Sequence, residues 1–153
     1  MRSARLFVTF FYLGYSKIAP GSIASLVTTL IFYLFAKYLF FSLLIIIILV
    51  TTILSFIAVG VYTSGSSEKD KSEIVIDEVI GQSIALSPLL LFPDYNLPEF
   101  YMCLISLLFF RFFDIVKPFP INEVDKINSN FGVILDDILA GFFSAIFLTL
   151  ILN

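Results

Sequence analysis

The sequence predicts an all-α, polytopic membrane protein of about five hydrophobic helices, some short or re-entrant. Composition is the first reason: of 153 residues, 59% are hydrophobic and only 14% charged, against about 25% charged in an ordinary soluble domain. Mean hydropathy is +1.04. Run length is the second, because residues 22–41 and 42–62 each approach the roughly 20 apolar residues that a spanning helix needs. The third is the placement of positive charge. With the N-terminus in the cytoplasm and five crossings, Arg2, Arg5, Lys17, Lys69, Lys71, Arg111, Lys117 and Lys126 all fall on the cytoplasmic side, as the positive-inside bias requires. Lys37 alone falls near the far end, where it can snorkel. This places the chain in a cell (inner) membrane, as one membrane-embedded domain over residues 1–153.

The elements follow in order. Residues 1–21 carry Arg2 and Arg5 ahead of the apolar stretch 6–13, but Lys17, Pro20 and Gly21 follow instead of a small-residue cleavage site. A retained interfacial or re-entrant segment is expected. Ser22, after Ala19-Pro20-Gly21, is placed to cap the first long helix. The runs 22–41 and 42–62 abut with little turn chemistry. A polar stretch, 63–73, leads to the run 74–92, interrupted by Pro88. The run 100–113 closes with Arg111 and Asp114, and Pro118 and Pro120 mark a loop before the last run, 131–152.

Two acidic pairs interrupt this apolar pattern: Asp77 with Glu78 after Ile74-Val75-Ile76, and Asp136 with Asp137 after Val133-Ile134-Leu135. A carboxylate in hydrocarbon-like surroundings costs roughly 2.5–3.5 kcal/mol on insertion scales, so an intramembrane acid marks a functional site by default. The predicted topology brings both pairs and Asp114 to the cytoplasmic face. There they would lie about one helical turn inside their helices, at the depth of a lipid phosphate. Carboxylates without histidine or thiol partners are hard oxygen ligands suited to Mg²⁺. Asp77, Glu78, Asp136 and Asp137 are therefore the candidate metal ligands and, with Asp114, the candidate catalytic groups. The competing role is that of charges favoured at helix starts by the macrodipole. Arg111, Asp114 and Lys117 recur at three-residue spacing and share a face if the helix reaches Pro118. Two cations around a carboxylate can grip a phosphate, or anchor the helix at the interface. Ser22 at a helix start is a further anion contact.

Several classes are excluded. The net charge of -3 and the lack of a basic patch argue against a nucleic-acid partner. There is no histidine, so imidazole bases and phosphohistidine intermediates are impossible. Cys103, the single cysteine, has no arginine six residues on and reads as a buried small hydrophobe. Two other readings accommodate membrane carboxylates, namely a cation transporter lined by them or a non-catalytic subunit of a lipid-synthesis complex. The transporter requires acids spread through the bilayer depth. Here they cluster at one face, with only Asp94 and Glu99 on the other.

Three blocks resemble the phosphatidylglycerophosphatase A family. Ile18-Ala19-Pro20-Gly21-Ser22-Ile23-Ala24-Ser25-Leu26 is similar to its Pro-Gly-Thr-x-Gly-Ser-Leu element. Asp70 and then Ile74-Val75-Ile76-Asp77-Glu78-Val79-Ile80-Gly81 resemble its Ile-Val-x-Asp-Glu-x-x-Gly motif. The third block runs from Phe110 and Arg111 through Asp114, Lys117-Pro118, Pro120-Ile121 and Asp125 to Gly132, Asp136-Asp137 and Ala140-Gly141. The resemblance implies a Mg²⁺-dependent membrane phosphatase, a phosphoric monoester hydrolase that converts phosphatidylglycerophosphate to phosphatidylglycerol in phospholipid biosynthesis. It implies that Asp77, Glu78, Asp136 and Asp137 bind metal or act in catalysis, and that Arg111, Asp114 and Lys117 complete the phosphate site. Ala24 stands where the family usually has glycine, and Ser129-Asn130 where a glycine pair is common. Both departures are expected in turns near the site.

Overall fold

The structure, a computed structural model, describes residues 2–64, 71–127 and 129–152. Asp70 and Lys69 lie outside the described residues. Among those described there is no strand. The helices are α1 (Arg2–Val8), α2 (Pro20–Phe35), α3 (Phe41–Tyr62), α4 (Ile76–Leu86), α5 (Pro88–Leu91), α6 (Glu99–Val116), α7 (Ile121–Asp125) and α8 (Asn130–Leu152). The five hydrophobic runs correspond to α2, α3, α4 with α5, α6 and α8, with α1 and α7 as short additions.

Three segments, Pro20–Tyr38, Phe41–Tyr62 and Asn130–Leu152, are long and apolar enough to cross a membrane. α3 is the most lipid-like, with hydropathy 2.9 and only 22% of its apolar window buried. Its remaining Ile, Leu and Val side chains face outward, which is stable only in a hydrocarbon solvent. α4 is different in kind. Its 11 residues extend only about 16 Å, half the hydrocarbon thickness, and Ile76, Ile80, Gly81, Gln82, Ile84, Ala85 and Leu86 are buried. It packs against α2, α3, α6 and α8 as the centre of the bundle. Pro88, first residue of α5, ends α4, as a proline without an N–H must.

Most hydroxyls inside the bundle cause no polar deficit, because they bond to their own helix, while Ser106 accepts from Gln82 Nε2 at 3.4 Å. Ser25, Thr28, Thr29 and Ser144 donate to the carbonyl four residues earlier at 2.7–2.9 Å.

Two expectations about local structure are corrected. Ser22 does not cap α2. Pro20, with its fixed φ, starts the helix, the capping position is Ala19 in left-handed conformation, and no side chain bonds there. Ala24 is not in a turn but fully buried within α2, and Asn130 is the first residue of α8. The α8 start is satisfied by Ser129, whose Oγ accepts a hydrogen bond from the Gly132 N–H at 3.2 Å.

α4 and α8 run parallel from the same end of the bundle and touch through glycine. A Cβ on Gly81 would lie 2.6 Å from the Asp137 carbonyl oxygen and 2.5 Å from the Phe110 ring, and one on Gly141 would strike the Gly81 carbonyl oxygen. Gly141→Ala is expected to wedge the helices apart and to lower the thermal unfolding midpoint in detergent, with an overpacking cost of about 1–3 kcal/mol. Gly60→Ala, whose Cβ would meet only the Asn130 side-chain nitrogen at 3.1 Å, is expected to be nearly neutral. Equal midpoints for the two variants would remove the glycine contact as a determinant of the fold.

Candidate metal and anion site

The first turns of α2 and α4 and an early turn of α8 meet the C-terminal end of α6 around a cavity of about 410 Å³. All eight residues singled out from sequence line it: Ser22, Asp77, Glu78, Arg111, Asp114, Lys117, Asp136 and Asp137. Their convergence follows from the helix starts. Asp77 and Asp137 each sit four residues, about one turn, ahead of the glycine at which α4 and α8 touch. The close approach of the backbones therefore brings the two carboxylates together.

Asp77, Glu78 and Asp137 form the inner cluster, with one oxygen of each within 4.8 Å of the others. Asp77 and Asp137 are 6% and 4% exposed. One Asp77 oxygen accepts the Glu78 N–H at 3.1 Å. Glu78 turns toward α2, where Gly21 leaves room for it, since a Cβ there would strike Glu78 Oε1. The second oxygen, Glu78 Oε2, is buried without a hydrogen-bond partner. Two buried carboxylates and a half-buried third with an unused lone pair, and no imidazole or thiol, form a donor set that fits a hard divalent cation. They are also unstable as neighbours without one.

Asp136 faces another way. It accepts a hydrogen bond from Lys117 Nζ at 2.7 Å, and Lys117 also pairs with Asp125 of α7. Burial by itself would lower the Lys117 pKa, but its bonds to Asp125 and Asp136 outweigh that effect and hold it above the usual lysine range. Lys117 is therefore a fixed cation. It is not on the α6 helix, as three-residue spacing from Arg111 would require. α6 ends at Val116, and Lys117 is its left-handed cap with φ 47°. Pro118 disfavours the helical conformation in the residue before it, and the change of direction swings Lys117 toward α7 and α8.

Arg111 Nη1 lies 2.7 Å from Asp114 Oδ2, close enough for an ion pair yet not aligned as a hydrogen bond. Arg111 Nε and Nη1 are buried donors with no acceptor. An anion in the cavity would supply one, and a tetrahedral oxyanion suits the planar guanidinium fork. Asp125, Lys71, Ser72 and Lys126, which the sequence does not mark as site residues, also line the cavity. Asp125 had a signal in its acidic charge just beyond the Pro118 and Pro120 turn, while Lys71 had none beyond its charge.

The chain matches the family described as Phosphatidylglycerophosphatase A over residues 6–152. A Bacteroides thetaiotaomicron protein with the provisional name phosphatidylinositol-3-phosphatase is 32% identical over 140 residues, covering 87% of this chain and 83% of its own. Proteins named phosphatidylglycerophosphatase A from Haemophilus influenzae and Escherichia coli are 30% and 31% identical. They are covered over 76% and 73% of their length, and this chain over 84% and 86%. No solved structure matches the chain. With a family match spanning nearly its whole length, and a cavity assembled from the three blocks that carry the resemblance, the chain belongs to the phosphatidylglycerophosphatase A family.

Proposed function

We propose that the protein is a Mg²⁺-dependent lipid phosphatase that hydrolyses the phosphomonoester of phosphatidylglycerophosphate to phosphatidylglycerol and inorganic phosphate. The observation that carries this reading is the pairing, in one cavity, of the Asp77, Glu78 and Asp137 cluster with Arg111, whose buried Nε has no acceptor. The names of two relatives refer to phosphatidylglycerophosphate and that of a third to a phosphoinositide. Both lipids carry a monoester phosphate on a headgroup that is itself joined through a phosphodiester.

Asp77, Glu78 and Asp137 would hold the Mg²⁺, with Asp136 at their edge under Lys117. When bound, the ion supplies charge neutralisation at the phosphate and Lewis-acid activation. Arg111 binds and orients the phosphoryl oxygens, with Asp114 holding its guanidinium. Lys117 and the N-terminal end of α2, including Ser22, add positive potential where charge grows in the transition state. The carboxylates orient a water in line with the scissile bond. Its oxygen bonds to phosphorus as a site carboxylate takes one of its protons, the phosphorus–glycerol oxygen bond breaks, and that proton passes to the glycerol oxygen. The gathering of Arg111, Lys117, Lys71 and Lys126 at this end, with Lys37 at the other end of α2, supports a cytoplasmic active site in the inner membrane.

Purified protein in detergent is expected to release phosphate from phosphatidylglycerophosphate with Mg²⁺ and to stop when a chelator is added. Asp137→Asn is expected to abolish release while unfolding at the wild-type temperature. Full activity in that variant would remove Asp137 from the site, and chelator-resistant release would refute the metal. A subtler probe is Gly21→Ala, which pushes on the Glu78 carboxylate from outside. The Mg²⁺ concentration for half-maximal activity is expected to rise about 10- to 100-fold, the usual effect of disturbing a ligand's support. An unchanged Mg²⁺ requirement would show that Glu78 does not bind the ion.

A further inference from the structure

Among the described residues four cations line the cavity, and three already have carboxylate partners. Arg111 faces Asp114, Lys117 bridges Asp125 and Asp136, and Lys126 pairs with Glu123. Lys71 is different, because no carboxylate among the described residues lies within ion-pair distance of it. Its Nζ rests instead 5.3 Å from the centre of the Tyr62 ring. That ring is braced. The Tyr62 hydroxyl donates to Glu73 Oε1 at 3.1 Å and shares a hydrogen bond with the Tyr15 hydroxyl at 3.2 Å. A cation seated on an aromatic face is positioned but only weakly compensated, so it can turn to an incoming anion without breaking an ion pair.

The substrate class offers that anion. A phosphatidylglycerophosphate headgroup carries two phosphates, the monoester that is cleaved and the diester that joins glycerol to the lipid. Arg111 and Lys117 stand with the acidic cluster and serve the monoester. Neither is free to serve the diester as well.

We propose that Lys71, held on the Tyr62 ring, forms a second anion subsite in the same cavity that binds the phosphodiester of the substrate. The inference rests on the lipid phosphatase reading above. Lys71 is a specificity residue that contacts the part of the lipid that does not react. It selects headgroups with a diester one glycerol away from the monoester, and it takes no part in the transfer itself.

The test compares Lys71→Gln and Lys71→Arg with the wild type in full-length protein in detergent. Phosphatidylglycerophosphate is the substrate, and phosphatidylglycerol, which keeps only the diester, and inorganic phosphate are the inhibitors. Loss of one charge-assisted contact is expected to raise KM for the substrate and Ki for phosphatidylglycerol together by about tenfold. kcat and Ki for inorganic phosphate should hold, and Lys71→Arg should restore the wild-type values. An unchanged KM overturns the subsite, as does a rise shared with Ki for inorganic phosphate or a fall confined to kcat. If wild-type protein releases no phosphate at all, the phosphatase reading fails and the subsite with it, a result distinct from each of the others.

Discussion

Three carboxylates held within 4.8 Å of one another, in a bundle whose other interior groups are nearly all apolar or internally bonded, set the terms for everything around them. Each costs roughly 2.5–3.5 kcal/mol to place in hydrocarbon surroundings, and their mutual repulsion adds to that. The fold answers by bringing the N-terminal ends of α2 and α4 to the cavity, so that two positive dipole ends lie beside the cluster. It also leaves room for the acids by removing side chains. Gly21 makes space for Glu78, and Gly81 with Gly141 lets α4 and α8 touch backbone to backbone.

These local devices do not neutralise the cluster. The fixed cations of the site are committed elsewhere, Lys117 to Asp125 and Asp136, and Arg111 to Asp114. Among the described residues the innermost acids are thus the ones without an ion pair, and Glu78 Oε2 has no hydrogen-bond partner. A structure that neutralised them internally would have no use for an external cation. Binding of a divalent ion here would make metal binding and completion of the fold at this end parts of one energy balance. The phosphate then arrives at a site where arginine donors and a cation are already in place, the preorganisation on which electrostatic catalysis depends.

Hydropathy made the five hydrophobic runs legible, and acids within apolar sequence, the three-residue spacing of charges from Arg111 and a helix start pointed to eight of the residues that line the cavity. What was not legible depended on tertiary contacts or on backbone conformation at single residues. Periodicity put Lys117 on the face of Arg111. The left-handed cap ahead of Pro118 took it off the helix and gave it to α7 and α8. Ser22 had the chemistry of a cap, but Pro20 started the helix first. Run length made the segment from residue 74 to 92 look like the other spanning helices. Its burial on all sides as a short central element depends on contacts with four neighbours. One signal was present and not read: Asp77 and Asp137 each precede a glycine by four residues, a shared offset that encodes the meeting of the two helices.

The same offset explains why the acids come in adjacent pairs. Neighbouring residues on a helix point about 100° apart, so an adjacent pair can approach one shared point from two directions, as Asp77 and Glu78 do, and still face two neighbouring elements. On α4, Asp77 lies on the face of Gly81 toward α8, while Glu78 turns to Gly21 of α2. On α8, Asp137 lies on the face of Gly141 toward α4, while Asp136 turns to Lys117. Each pair gives one carboxylate to the shared α4–α8 seam and one to a flanking element, so the two helices carry the cluster and also set it against Gly21 of α2 and Lys117 at the end of α6. A pair spaced by three or four residues would stack both acids on the seam and add repulsion without reach. Adjacency is thus what lets a half-length helix at the centre of a membrane bundle organise a polar site from four directions.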